Sequence, residues 1–181
     1  DNNPYKKIFA SNNYETIQIS DKIKNQLYNK TNKILSKYDV VLVQDFGHGT
    51  IDLKLAKLIQ NKSKFLSLNC QTNSLNYGDN IIGKKFTKTD LLSLDAMELK
   101  YFLQSNINDR KKDLKKIALK MKTKSCFLTG GKDKAILFKN NKFYQCESIN
   151  TNAKDPIGAG DIFHSTVTIF HKVIKNEFFK I

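Results

Sequence analysis

Four short apolar segments, "DVVLVQD" (39–45), "KFLSLNC" (64–70), "DLLSLD" (90–95) and "SCFLTGG" (125–131), are separated by stretches of helical periodicity. Strands that are apolar without a break are covered on both faces, and helices between them supply the crossovers a parallel sheet needs. The helical stretches are 20–38, capped by Ser20 with Ile23, Leu27, Ile34 and Leu35 on one stripe, then 51–60, about 96–104 and about 109–122. "AILFKN" and "KFYQCES" are two further strands, and the "KNNK" between them predicts an antiparallel hairpin at one edge. A last helix starts near Ala159, and "YKKIFAS" and "YETIQI" read as extended segments ahead of the first helix. No repeat, low-complexity tract or linker interrupts the pattern, so 1–181 reads as one α/β unit.

Composition limits the partners. The net charge is +14, which invites a nucleic-acid reading, yet Arg110 is the only arginine and the lysines are scattered from Lys6 to Lys180. Direct base readout favours clustered Arg, so a solvated surface explains the charge better than a nucleic-acid face. The same charge would attract small anionic substrates. No apolar run nears the roughly 18 residues of a membrane span, and "DNNPYKKIFA" lacks the regions of a signal peptide. Cys70, Cys126 and Cys146 are odd in number and widely spaced, which suits a reducing cytoplasmic setting.

In a parallel sheet, ligands bind beyond the carboxyl ends of the strands. The segments there are "QDFGHGT" (44–50), "NCQTN" (69–73), "DAME" (95–98), "TGGKD" (129–133) and "DPIGAGD" (155–161). Gly158 and Gly160 would let backbone come close to a ligand, and the start of a helix offers unpaired N–H groups to an anion. Asp161, in the first turn, sits favourably in the same field. An anion cradle beside a carboxylate suits phosphoryl transfer to a hydroxyl. A helix cap after a glycine turn explains the same residues, and physics alone leaves both readings open.

"DPIGAGDIF" resembles the C-terminal signature of the pfkB, or ribokinase-like, carbohydrate and nucleoside kinases, D-T-x-G-A-G-D, matched at Asp155, Gly158, Ala159, Gly160 and Asp161. "FLTGGKDKAILF" resembles the family's T-x-G-x-x-G loop at Thr129 and Gly131, with Lys134 in place of the second glycine. "DAME" resembles N-x-x-E, with Glu98 kept and Asp95 replacing Asn. "QDFGHG" is similar to the D-Y-x-K-G segment of the heptose-phosphate kinase branch at Asp45 and Gly49, with His48 replacing the lysine. Asn69 and Gln71 stand where that branch often has Asp and Lys.

The resemblance implies a three-layer ribokinase-like fold, truncated at both ends, holding the C-terminal nucleotide-binding portion of a sugar kinase. It implies ATP near Thr129, Gly131 and Asp155, and Mg²⁺ held mainly through water by Glu98 with help from Asp95. Asp161 would be the general base, and the amides of Gly158, Ala159 and Gly160 the anion hole. Asp45, Asn69 and Gln71 would face a sugar or sugar-phosphate substrate. A homodimer is compatible with the family, and neither nucleic acid nor membrane is expected as a partner. The piece alone would turn over little sugar, because the part that supplies much of the sugar pocket is not encoded in it. The rival readings are a degenerate nucleotide-binding module and a basic nucleic-acid-binding domain.

Other candidates have ordinary explanations. His48 would be a substrate contact or an exposed histidine, and Cys70 a buried thiol. His164 and His171 lack the companions of a metal set. Phe163, Val167, Phe170 and Ile174 recur at helical spacing and are expected to be the stripe that anchors the last helix.

Overall fold

The computed structural model describes residues 19–72, 79–131, 133–148 and 157–173. The six strands are β1 (Val41–Asp45), β2 (Leu66–Cys70), β3 (Leu91–Leu94), β4 (Ser125–Leu128), β5 (Ala135–Lys139) and β6 (Lys142–Cys146). They form one sheet in chain order, β1-β2-β3-β4-β5-β6. The first four are parallel, and β5 and β6 add an antiparallel hairpin at the edge, as the sequence predicts. Asn140 and Asn141 turn that hairpin with φ of 48° and 65°. Positive φ at both central residues is what a type I′ turn requires, and Asn tolerates it.

The helices are α1 (Asp21–Ile34), α2 (Leu53–Lys62), α3 (Ile82–Lys85), α4 (Ala96–Leu103), α5 (Arg110–Lys120) and α6 (Ala159–Val173). Side chains of Ser20, Asp52, Asp95 and Asp109 accept backbone N–H bonds at the starts of α1, α2, α4 and α5. These caps satisfy donors that have no partner inside a helix. The single turn α3 is not foreseen by the periodicity. The expected extended segments at 5–11 and 14–19 lie essentially outside the described residues.

Period-two alternation sorts the sheet into two unlike faces. Val43, Leu66, Leu68, Cys70, Leu92, Leu94, Cys126 and Leu128 point to one face and join residues of α2 and α5 in a single apolar core. The other face carries α6, and it is polar in its middle. Ser67 Oγ lies 2.8 Å from His164 Nε2 and 2.7 Å from Thr168 Oγ1. Helices therefore cover both faces, giving the three layers expected.

That polar face corrects the expected anchor of α6. Among the described side chains of the helix the buried ones are His164 and Thr168, whereas Phe170 is 40% exposed. Phe163 is only partly buried, edge-on to Phe127 at 5.6 Å between centroids. Val167 is also partly buried, and Ile174 lies outside the described residues. The helix turns its hydrogen-bonding side to the sheet because a serine, not an aliphatic side chain, meets it there.

Candidate active site

The carboxyl ends of β1 to β4 and the N-terminal end of α6 enclose a cleft of about 870 Å³. Phe46 follows β1, Asn69 and Gln71 end and follow β2, Asp95 and Glu98 follow β3, Thr129 to Gly131 follow β4, and Gly158 to Asp161 begin α6. Five segments distant in sequence thus meet in one place. Asp155 lies outside the described residues.

Gly158 has φ of 78°, and its carbonyl accepts the Ile162 N–H at 3.0 Å, the first bond of α6. A side chain there would be strained, so the turn itself explains this glycine. Gly160 has no such constraint, and a Cβ on it would meet nothing within 4 Å. Open space over a glycine at a helix start is room for a ligand to reach the amides.

Asp161 is held at two points. Its backbone carbonyl accepts from Gln44 Nε2 at 2.9 Å and from Ser165 Oγ at 2.8 Å. Its Oδ1 accepts from Gln71 Nε2 at 2.5 Å. No hydrogen bond from another described residue reaches Oδ2, which leaves that oxygen able to accept a hydroxyl proton.

Asp95 and Glu98 form a capping box. Asp95 Oδ1 accepts the Glu98 N–H at 2.8 Å, and Glu98 Oε2 accepts the Asp95 N–H at 2.9 Å. Asn69 Nδ2 donates to the same Oε2 at 3.2 Å and to the Ser93 carbonyl at 3.0 Å, and the Thr72 N–H reaches Glu98 Oε1 at 3.2 Å. Burial pushes the Glu98 carboxyl up to about 8, and the nearby Asp95 charge pushes it the same way. A cation beside the pair would favour its ionised form. No group of three or more potential metal ligands occurs among the described residues. Two carboxylates at a cleft fit Mg²⁺, which keeps several waters and takes its other oxygens from phosphate.

Thr129 extends β4, its N–H bonding the Leu94 carbonyl at 2.8 Å. Gly131 has φ of 62° and its carbonyl accepts from Ser148 Oγ at 3.1 Å. Between them, a Cβ on Gly130 would come within 2.7 Å of the Lys134 carbonyl, so this loop needs its first glycine for packing. Lys134 itself pairs with Glu147 at 2.5 Å and does not line the cleft.

Asp45 is placed differently from Asn69 and Gln71. It is 3% exposed, does not line the cleft, and spends its carboxylate on Lys85 Nζ at 2.5 Å and the Gly47 N–H at 3.0 Å. The register explains this: Asp45 pairs with Cys70 on the core face, while Gln44 pairs with Asn69 on the α6 face. Gln44 is therefore the residue to single out, and the apolar Val43 before it carries the signal. His48 is exposed beside Phe46, ring centroids 6.4 Å apart, and Phe46 is the one that lines the cleft. Cys70 is buried, and burial pushes its thiol up. Lys85, Asn80 and Arg110, which pairs with Asp133 at the cleft rim, escape the sequence reading because none stands in a motif.

The model of the pfkB family of carbohydrate kinases matches residues 6–169, and the chain belongs to that family. No curated protein matches it. Among solved structures it is similar to a point mutant of Escherichia coli phosphofructokinase-2, with 14% identity, a TM-score of 0.67, and coverage of 83% of this chain and 50% of that one. It is also similar to a putative phosphofructokinase from Staphylococcus aureus, at 14% identity and TM-score 0.65, covering 86% and 51%. Arabidopsis thaliana ribokinase complexed with ribose and ATP gives 20% identity and TM-score 0.61, covering 78% and 46%. The chain spans about half the length of these structures.

Proposed function

We propose that this chain carries the nucleotide side and the general base of an ATP-dependent kinase acting on a hydroxyl of a sugar or sugar phosphate. Family membership supports the class of reaction. The observation that carries the assignment is Asp161, fixed at Oδ1 and at its carbonyl, on the first turn of a helix whose Gly160 lies open to the cleft. Bound Mg·ATP would supply the phosphoryl group and neutralise part of its charge.

Thr129 and Gly131, with Asp155, hold the nucleotide in this reading, and the amides of Gly158, Ala159 and Gly160 receive the charge of the transferring group. Asp95 and Glu98 hold the metal through water. Asn69 and Gln71 stand between metal and base, and Asp161 takes the proton from the attacking hydroxyl. Asp45 acts from behind the cleft wall. A heptose phosphate as acceptor rests on the resemblance of 45–49 to that branch, and a cytoplasmic location on the cysteine pattern.

The test is Asp161→Asn in the full-length protein, with sugar-dependent ADP release followed across aldoses, ketoses and their phosphates. General-base catalysis contributes about 10²–10⁴-fold, so kcat should fall by about that factor while ATP binding survives. Near-normal kcat in a folded variant would reduce Asp161 to a helix cap. Nucleotide binding with no turnover in the parent would instead identify a degenerate module.

A further inference from the structure

Behind the cleft wall, β1, β2 and α3 converge on a buried polar cluster with a single consistent bonding pattern. Lys85 Nζ donates to Asp45 Oδ2 at 2.5 Å and to Asn80 Oδ1 at 2.9 Å. Asn80 Nδ2 donates to the carbonyls of Asp45 at 2.7 Å and Gln71 at 3.2 Å, and the Gln71 N–H returns to the Asp45 carbonyl at 2.9 Å. The ammonium can only donate, so Asn80 must turn its oxygen to Lys85 and its NH₂ to the two carbonyls. Gln71 is thereby tied at its N–H and its C=O, and its side chain meets Asp161 Oδ1 at 2.5 Å. Asn80 is 3% exposed and Asp45 equally so, which leaves water little part in setting the geometry.

We infer that Lys85 and Asn80 are positioning residues for Asp161, acting through the backbone of Gln71, which aims its amide at Oδ1 and leaves Oδ2 to the acceptor hydroxyl. The inference rests on Asp161 being the base, and it adds the device that orients it. A charge pair with a buried carboxylate is a poor means of gaining stability, but it fixes one arrangement among several, which is what a base aimed at a reacting atom needs.

The experiment compares Asn80→Ala, Lys85→Gln and Gln71→Leu with the parent. In the ¹⁵N-labelled full chain, the Gln71 side-chain amide resonance is assigned by its loss in Gln71→Leu. It should shift away from its parental position in Asn80→Ala and in Lys85→Gln. In the full-length protein, kcat should fall by up to about 100-fold in all three, with the KM for ATP unchanged. An unmoved Gln71 amide in a folded Asn80→Ala or Lys85→Gln chain overturns the inference, as does a Gln71→Leu enzyme with parental kcat. Lys85→Gln and Gln71→Leu keep the question decidable if the buried Asn80→Ala fails to fold, because Lys85 and Gln71 are only half-buried. Should the parent phosphorylate no sugar, the kinase reading fails, and the amide resonance still decides the positioning.

Discussion

Gly158 and Gly160 are two residues apart and make opposite demands. Gly158 sits at φ of 78°, so Gly158→Ala should cost about 1–2 kcal/mol in thermal or denaturant unfolding. Gly160 is helical with open space above it, so Gly160→Ala should leave stability unchanged or raise it by up to about 1 kcal/mol, yet weaken nucleotide binding. Calorimetric titration with ATP and unfolding of the same two variants separates the cases; equal affinity for Gly160→Ala and parent would remove the amides from the site. At this scale the sequence is legible where a residue type is demanded by local backbone, as in the GAGD turn. It is not legible where a role depends on register. Gln44 and Asp45 differ by one position, and only the pairing of β1 with β2 decides that Gln44 holds Asp161 while Asp45 goes to the core face. The Asp95 and Glu98 capping box is readable, since D-x-x-E before an apolar run is its signature, but the same letters also suit a metal site.

Among the elements, α6 departs most from its sequence pattern. Amphipathic spacing points to a stripe of Phe163, Val167, Phe170 and Ile174, whereas the buried side is His164 and Thr168 against Ser67. Burial drops His164 to about 4, so the folded chain holds it neutral while the unfolded chain protonates it near 6.5. Between those values the unfolded state binds more protons, so the stability His164 contributes is complete above about 6.5 and is lost as pH falls toward 4. The loss amounts to about 3 kcal/mol at most. Burial lowers His171 in the same direction. Unfolding midpoints from about pH 7 to 4.5 should fall more steeply for the parent than for His164→Gln, which cannot take the proton; equal slopes would place the titration elsewhere. The parallel strands, the edge hairpin and the four capped helices follow from their patterns. The turn α3 does not, because four residues carry no periodicity, and Lys85 is hidden with it.

Over the whole molecule, the charge is arranged against its own average. The chain has 31 Lys and Arg against 17 Asp and Glu, yet the described cleft lining holds Asp95, Glu98, Asp133, Glu147 and Asp161 with Arg110 as its one cation. A triphosphate entering that ring of carboxylates needs a divalent cation with it. Removing Mg²⁺ with EDTA should weaken ATP binding by about tenfold or more, equivalent to about 1.4 kcal/mol. Unchanged affinity would mean that the carboxylates face away from the phosphates. The order of the sheet has a separate consequence. Each of the six described strands lies beside its predecessor, so this part of the sheet can grow strand by strand as the chain leaves the ribosome, each new strand finding its neighbour already in place. Among the described elements α6 travels back farthest, because Asp161 meets Gln44 across 117 residues and His164 meets Ser67 across 97. The contacts that close the longest loops are the slowest to be rewarded. During synthesis the six described strands therefore precede α6, and Asp161, the proposed base, is the last of these groups to reach its partner.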